Sequence, residues 1–475
     1  MKRFLPVVVL SVVGSLLLFA QSREEKKFAS RVSQKNLTQT VRDLVGLGNR
    51  MGGTASGDRA ARYLQQRFKS FGLAVQQLKE SPKLTYTHTS WSLQVTRPRR
   101  LRGLIRNEWL AGFSPSTKPT TGRLIFYDPE IPKDSLSKKV VLTDRNVGPE
   151  FYKELVEAGV ICILTYAPNI ETAYSRWAMI SSLPASKSHP IPVYNISRSN
   201  GEVLRNEIAK EVTVDIRFAA KTIIREGSPK TVVATLRGKS DEYYIVCAHG
   251  DSDSGGPGAD DNASGEAGVL EIARILSSMV GSGELPRPQK TIKFVIWGSE
   301  YSSAEEFVKR EKDSLEKILG VMNYDEIGTG AERNCIYFES NDVPHNEKLL
   351  RTLEAVGEEY VGKKGFWQEA TTNPSQGGTD SYVFLPDYLE RLDLPSVEIP
   401  SSTIYTAAWN APRTLPQTKG WSARSWKGHP DSVIVDYSAY YHSSLDLPQY
   451  TTEREPFNMV WAVKAVGIAL LRLAW

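Results

Sequence analysis

Four short stretches of this chain concentrate the residue types that hold metal ions and move protons. The first, YIVCAHGDSDSGGPGADDNASG, carries His249, Asp251, Asp260 and Asp261 behind a β-rich apolar run. The second is Trp297-Gly298-Ser299-Glu300-Tyr301, the third Asn323-Tyr324-Asp325-Glu326, and the fourth runs from Tyr440 to Asp446 and contains His442. Each lies at the end of a predicted strand or in the loop after it, where an open α/β sheet collects its chemistry. Imidazole nitrogen and carboxylate oxygen are donors that suit zinc. A carboxylate such as Asp261 can give one oxygen to each of two ions about 4 Å apart, the spacing of two-metal hydrolases. Asp251 stands two residues beyond His249, so in an extended segment both side chains face the same way and the carboxylate can fix the imidazole tautomer. Glu300 is then the candidate general base, taking a proton from metal-held water and passing it to a leaving amine. Any one of these groups alone reads as a solvated acidic loop, whereas four strand ends of this composition read as one site.

The elements that must position these residues are legible as alternating strands and helices from Thr231 onward. Strands are expected at Val232 to Leu236, Tyr243 to Ala248, Thr291 to Trp297 and Val321 to Tyr324. Helices are expected at Ser264 to Met279, Ala304 to Ile318 and Pro456 to Trp475. Lys464 and Arg472 interrupt the last of these, which reads as a helix packed in the core. This grammar predicts an α/β fold with a mixed, mostly parallel central sheet flanked by helices. Further upstream, helices are expected at Leu37 to Leu47 and Asp58 to Phe71, joined by GNRMGGTASG. No strand precedes that glycine-rich run and no Lys-Ser/Thr follows it, so it reads as a tight turn rather than a phosphate cradle. Between them, residues 83–230 read as a β-rich module with runs SLQVT, GRLIFYD and KVVLTD. His88 and His189 stand alone there, and Arg97, Arg99, Arg100, Arg102 and Arg106 read as an exposed loop.

The chain has 475 residues, too many for one ordinary core, so more than one domain is expected. An apolar fraction of 40% with 24% charged residues belongs to a folded globular chain and excludes a disordered one. A net charge of +5 without a clustered basic face argues against a nucleic-acid partner. Lys2 and Arg3 precede an apolar run from Leu5 to Ala20 and the small-residue pattern Ala20-Gln21-Ser22. This is a secretory signal peptide over residues 1–22, too short for a bilayer span, so an exported protein with no stable membrane span after cleavage is expected. Cys162, Cys247 and Cys335 sit singly in apolar contexts and read as buried hydrophobes rather than disulfide partners or zinc thiolates.

Taken with their spacing, these motifs strongly resemble the secreted zinc aminopeptidase/carboxypeptidase family that includes bacterial leucine aminopeptidase, glutamate carboxypeptidase II and carboxypeptidase Q. The shared segments are His249-Gly250-Asp251, PGADDNASG, FVIWGSE, NYDEIG and YHSSLD, and GGTDSYVF, holding Asp380, is similar to a turn near the family's substrate pocket. The resemblance covers residues 36–72 and 231 to the C-terminus. VVLTDR, FYKELVEAGVICILTY and IPVYNIS resemble the protease-associated domain often inserted between those parts. It implies a signal peptide at 1–22, a helical part of the peptidase domain at 23–82, a protease-associated domain at 83–230 and a zinc peptidase catalytic domain at 231–475. It also implies Asp261 as the bridging ligand, His249 and Asp325 completing one zinc site, and His442 on the other. Glu300 becomes the catalytic base, Asp251 the carboxylate behind His249, and Asp380 a substrate-pocket residue. One position departs: the family's second glutamate, a metal ligand, is Tyr301 here. Either a tyrosinate ligates, or Glu305, Glu326 or Glu398 takes the place, or one ion is firm and the other weak, so one or two zinc ions are expected. The implied activity is hydrolysis of peptide substrates by a metallo-exopeptidase, an aminopeptidase first. A carboxypeptidase of the same family, a glutaminyl-cyclase-like aminoacyltransferase and a non-catalytic receptor-like binding protein are the alternatives.

Overall fold

The structure is a computed structural model that describes residues 22–475 except 169–170, 172, 174–189, 253–255, 330–334, 341–346, 375–378, 407–412, 417–431 and 436–439. Residues 1–21, within the expected signal peptide, and His189 lie outside the described residues. Ser22 Oγ accepts the Glu25 N–H at 3.0 Å while the Glu25 carboxylate accepts the Ser22 N–H at 3.4 Å. This reciprocal cap starts α1 (Arg23–Arg31). Nothing in the apolar pattern announces α1, because Phe28 is its one buried apolar side chain. α2 (Gln34–Val45) and α3 (Ala55–Ser70) fall close to the expected helices and bury stripes at helical spacing, Leu37, Val41 and Leu44, then Ala61, Leu64 and Phe68.

After β1 (Ala74–Lys79) the chain builds a second sheet. Its strands are β2 (Lys83–Arg97), β3 (Trp109–Leu110), β4 (Thr117–Phe126), β5 (Lys139–Thr143), β6 (Cys162–Thr165), β7 (Val193–Asn195) and β8 (Asp215–Gly227). Among the described residues, α4 (Pro149–Glu157) and α5 (Arg198–Ala209) accompany them. The order is β2-β8-β4-β5-β6-β7-β3, with β4 to β7 parallel and the remaining pairings antiparallel. Alternate residues enter opposite apolar clusters, Leu142 and Leu164 on one face, Val141 and Ile163 on the other. The segment read as β-rich is therefore a mixed sheet whose central strands β5, β6 and β7 are buried on both faces. The five arginines read as an exposed loop, Arg97, Arg99, Arg100, Arg102 and Arg106, are exposed.

The chain returns through β9 (Lys230–Leu236) and then alternates β10 (Tyr243–His249), α6 (Gly265–Gly281), β11 (Thr291–Trp297), α7 (Ser302–Arg310) and β12 (Ile318–Tyr324). It continues with β13 (Cys335–Ser340), α8 (Glu347–Tyr360), β14 (Glu369–Pro374), α9 (Pro386–Arg391), β15 (Ser401–Tyr405) and α10 (Phe457–Ala474). The main sheet runs β1-β9-β11-β10-β12-β15-β13-β14, with β11, β10, β12 and β15 parallel. Antiparallel pairing enters at β1–β9, β9–β11 and β13–β15. The mixed α/β sheet expected from the sequence is present. The largest boundary difference is that α7 stops at Arg310 instead of running to Ile318, which is already the first residue of β12. Glu311 ends that helix by accepting from the Tyr243 hydroxyl at 2.9 Å and pairing with Lys293 at 3.4 Å.

β10 is the axis of this arrangement, with all of its residues buried. Tyr244, Val246 and Ala248 enter one core, Tyr243, Ile245 and Cys247 another. A strand covered on both faces reads as a continuous apolar run, and each large apolar side chain so buried contributes about 1.5–3 kcal/mol. Cys162 and Cys247 are free and buried, as their contexts imply. α10 is long and apolar enough to cross a membrane, yet 78% of it is buried inside the protein. Its Arg472 pairs with Glu25 and Glu359, each at 2.7 Å, and a Cβ added at Gly467 would meet Phe28 Cζ at 1.9 Å. Gly467→Ala is therefore expected to cost about 1–3 kcal/mol by overpacking α1 against α10. A thermal unfolding midpoint equal to that of the unaltered protein would contradict this packing.

Candidate metal centre

Parallel pairing places the ends of three strands side by side. His249 closes β10 opposite Trp297, the last residue of β11, and Cys247 pairs with Asn323, two residues before Asp325. From these ends and from two loops, the side chains of His249, Asp261, Asp325 and His442 meet. His249 Nε2 lies 3.2 Å from Asp261 Oδ1 and 3.5 Å from Asp325 Oδ1. The other Asp261 oxygen lies 2.9 Å from His442 Nε2. Asp261 thus gives one oxygen to each imidazole. Among the described residues, His249, Asp261 and Asp325 form a group whose donor atoms all lie within 4.8 Å of one another.

The donor chemistry fits a divalent cation. His249 Nδ1 faces both Asp251 Oδ1 and the Asp251 carbonyl at 3.2 Å. With Nδ1 as that donor, Nε2 turns a lone pair toward two carboxylates. Asp325 Oδ1 is buried without a hydrogen-bond partner, while Oδ2 accepts from Thr379 Oγ1 at 2.5 Å. Burial lowers the proton affinity of His249, but Asp325, Asp251 and Asp261 outweigh it and hold the imidazole well above its ordinary pKa. Burial would raise Asp261, and His249 and His442 overcome that and lower it. A field that strongly favours a cationic imidazole also favours a metal ion bound through nitrogen and oxygen.

Glu300 borders this cluster. Its N–H donates to Asp251 Oδ1 at 3.0 Å. Burial, with Asp325, Asp380 and Asp261 adding to it against His249, pushes its carboxyl well above the usual range. The next residue, Tyr301, adopts φ 52° and donates its N–H to Asp380 Oδ1 at 2.8 Å. Its ring packs on the apolar cluster containing Trp297, Phe307 and Val383, and burial raises the phenol. Asp380 is fully buried beneath this loop and pushed up to about 8, chiefly by burial. Of the other carboxylates named in the sequence, Glu305 is engaged by the Tyr388 hydroxyl at 2.6 Å. Glu326 is buried in the field of Asp325 and Asp261 and raised by burial. Tyr301, Glu326 and His442 all have positive φ, at 52°, 52° and 48°. Such backbone costs about 1–3 kcal/mol per residue and clusters at functional sites.

Several supporting residues had no role assigned to them in the sequence reading. Asp446, in the same YHSSLD segment as His442, accepts the N–H groups of Asp260 and Asp261 at 2.8 and 3.0 Å. Asp260 turns away from the imidazoles to accept from Gly328 N–H at 2.6 Å and Thr329 Oγ1 at 2.7 Å. Asn262 donates to the Tyr324 carbonyl at 2.9 Å, tying the Asp261 loop to the strand that carries Asp325. Arg50, inside the glycine-rich turn, is wholly buried and donates to the carbonyls of Gly250, Pro257 and Gly258 at 3.2, 2.9 and 3.0 Å. Glu266 faces it at 3.2 Å. A Cβ at Gly52 would lie 2.1 Å from the Gly298 carbonyl, so only glycine lets this turn approach the loop of Glu300. The arginine between paired glycines was the available signal.

Residues 231–466 match peptidase family M28. The chain is similar to the probable lipoprotein aminopeptidase LpqL of Mycobacterium tuberculosis, 31% identical over 40% of this chain and 36% of that protein. It is similar to aminopeptidase YwaD of Bacillus subtilis, 25% identical over 80% of each chain. The alignment thus spans little more than a third of LpqL and most of YwaD. Among solved structures, BSAP, a zinc aminopeptidase from Bacillus subtilis, shares the fold with a TM-score of 0.58 at 19% identity, covering 93% of this chain and 95% of that one. The chain belongs to peptidase family M28.

Proposed function

We propose that this chain is an exported zinc aminopeptidase. The observation that carries the reading is the Asp261 carboxylate set between two imidazoles, with Asp325 beside one of them and the Glu300 loop tied to Asp251. His249, Asp261 and Asp325 would hold one zinc ion, and Asp261 with His442 would contact a second. Bound zinc supplies Lewis acidity, which polarises the scissile carbonyl and acidifies water. Asp251 keeps the proton of His249 on Nδ1, so that Nε2 remains a donor. Glu300 takes the proton of the attacking water and delivers it to the leaving amine. Asp380 supports the loop through the Tyr301 N–H, and Tyr301 packs instead of ligating.

The names of both curated relatives favour cleavage from the N-terminus, and the surplus of carboxylates around Asp325 and Glu326 suits a substrate ammonium. Residues 83–230 are assigned to a protease-associated domain, and 23–82 with 231–475 to the catalytic part. The leader at 1–22 directs export, consistent with the lipoprotein description of LpqL.

Four outcomes are expected. Glu300→Gln should lower kcat on an aminoacyl-nitroanilide by about 10²–10⁴-fold with zinc content unchanged. Zinc-loaded protein that cleaves neither such a substrate nor a dipeptide sinks the assignment. Asp446→Asn, which loosens the Asp260-Asp261 turn, should weaken zinc binding about 10–100-fold, measured by chelator competition. Metal analysis after dialysis should find one retained zinc per chain, because only the His249 site has three donors within 4.8 Å among the described residues. Two retained ions would show that the His442 side is complete. Tyr301→Glu should raise the retained zinc above that of the unaltered protein.

A further inference from the structure

The loop that carries Glu300 is held by four successive backbone N–H groups, each accepted by a side-chain oxygen. Gly298 donates to Thr231 Oγ1 at 3.2 Å and Ser299 to Ser303 Oγ at 2.8 Å. Glu300 donates to Asp251 Oδ1 at 3.0 Å and Tyr301 to Asp380 Oδ1 at 2.8 Å. Asp251 and Asp380 are carboxylates of the site itself. The other two acceptors are hydroxyls, and a hydroxyl must be oriented before it can accept. Both are oriented by one atom: Glu80 Oε1 accepts from Thr231 Oγ1 at 2.8 Å and from Ser303 Oγ at 2.6 Å. With each hydroxyl proton committed to Glu80, its lone pairs face the backbone N–H.

Glu80 stands outside the metal cluster. Its place is the junction where the chain leaves β1 for the second sheet, and its own N–H donates to the Pro229 carbonyl, where the chain returns, at 3.0 Å. The carboxylate is 4% exposed. Oε2 makes no hydrogen bond and faces Lys83 Nζ at 3.6 Å, and the same ammonium donates to Ser302 Oγ. A buried carboxylate at this seam leaves the main and second sheets with a shared anchor. We propose that Glu80 is a positioning residue for Glu300, acting through Thr231 and Ser303 on the N–H groups of Gly298 and Ser299. The inference rests on Glu300 being the base.

The test compares Glu80→Leu, Glu80→Gln, Ser303→Ala and Thr231→Val in the full-length mature protein, reading kcat, KM, zinc content and thermal midpoint. Gln keeps an acceptor oxygen and should retain most of kcat. Glu80→Leu and Ser303→Ala should each lower kcat about tenfold or more with KM and zinc content little changed, since a displacement near 1 Å at a reacting group has effects of that order. Ser303→Ala added to Glu80→Leu should cost less than Ser303→Ala alone, because both act on one path. Unchanged kcat in Ser303→Ala and Thr231→Val overturns the proposal, as does equal loss in Gln and Leu or full additivity. Should Glu80→Leu fail to fold, the two hydroxyl variants with Glu80→Gln decide it. Glu300→Gln serves as the control: if that variant keeps its kcat, the base assignment fails, whatever Glu80 does.

Discussion

Negative charge buried at one end of a sheet is the constraint to which the surrounding structure answers. Asp251, Asp260, Asp261, Glu300, Asp325, Glu326, Asp380 and Asp446 lie in overlapping fields, and burial drives the proton affinity of most of them upward. Left bare, such groups would be too costly to bury. The chain meets the cost with backbone N–H groups. Asp446 takes two, Asp251 and Asp380 one each from the Glu300 loop, and Asp260 takes Gly328. On the side of the imidazoles, Asp325 Oδ1 has no hydrogen-bond partner and the two Asp261 oxygens face His249 and His442. These three oxygens form the candidate cation-binding face.

That allocation accounts for the backbone at Tyr301, which adopts positive φ where the loop turns its N–H inward to Asp380. Arg50 performs the opposite task behind the site, gathering the carbonyls of Gly250, Pro257 and Gly258 and so fixing both ends of the loop that runs from Asp251 toward Asp261. Acidic side chains hold N–H groups in front, and one guanidinium holds carbonyls behind. The strain of about 1–3 kcal/mol per residue is sustained because neighbours on both sides determine the loop.

The parts that could be read from the sequence are those whose logic is local. β10 and β11 are uninterrupted apolar runs, so their ends, and with them His249 and Glu300, stand out. Asp261 and Asp325 follow from position after a loop and a strand. Residues that act over long separations left no such mark. Glu80 meets Ser303 across 223 positions and Arg50 meets Gly258 across 208, and neither sits in a run of like residues. α7 ends early for a similar reason: Glu311 is claimed by Tyr243 and Lys293 from two neighbouring strands, which helix periodicity cannot register. α1 follows from a cap and one phenylalanine, too little apolar pattern to detect.

The site is built from two kinds of support. His249 and Asp325 are fixed by strands β10 and β12, which lie at the centre of the main sheet. Glu300 and His442 come from loops, and both loops touch the second sheet's segment. Lys83, the first residue of β2, donates to Ser302, and Ser444 Oγ donates to the Asn107 carbonyl at 3.0 Å. The second sheet thus borders the residue assigned to proton transfer and the second imidazole, while leaving the first imidazole to the core. A change in the packing of that sheet acts first on the loops of Glu300 and His442, because β10 has every residue buried and no free edge through which to respond.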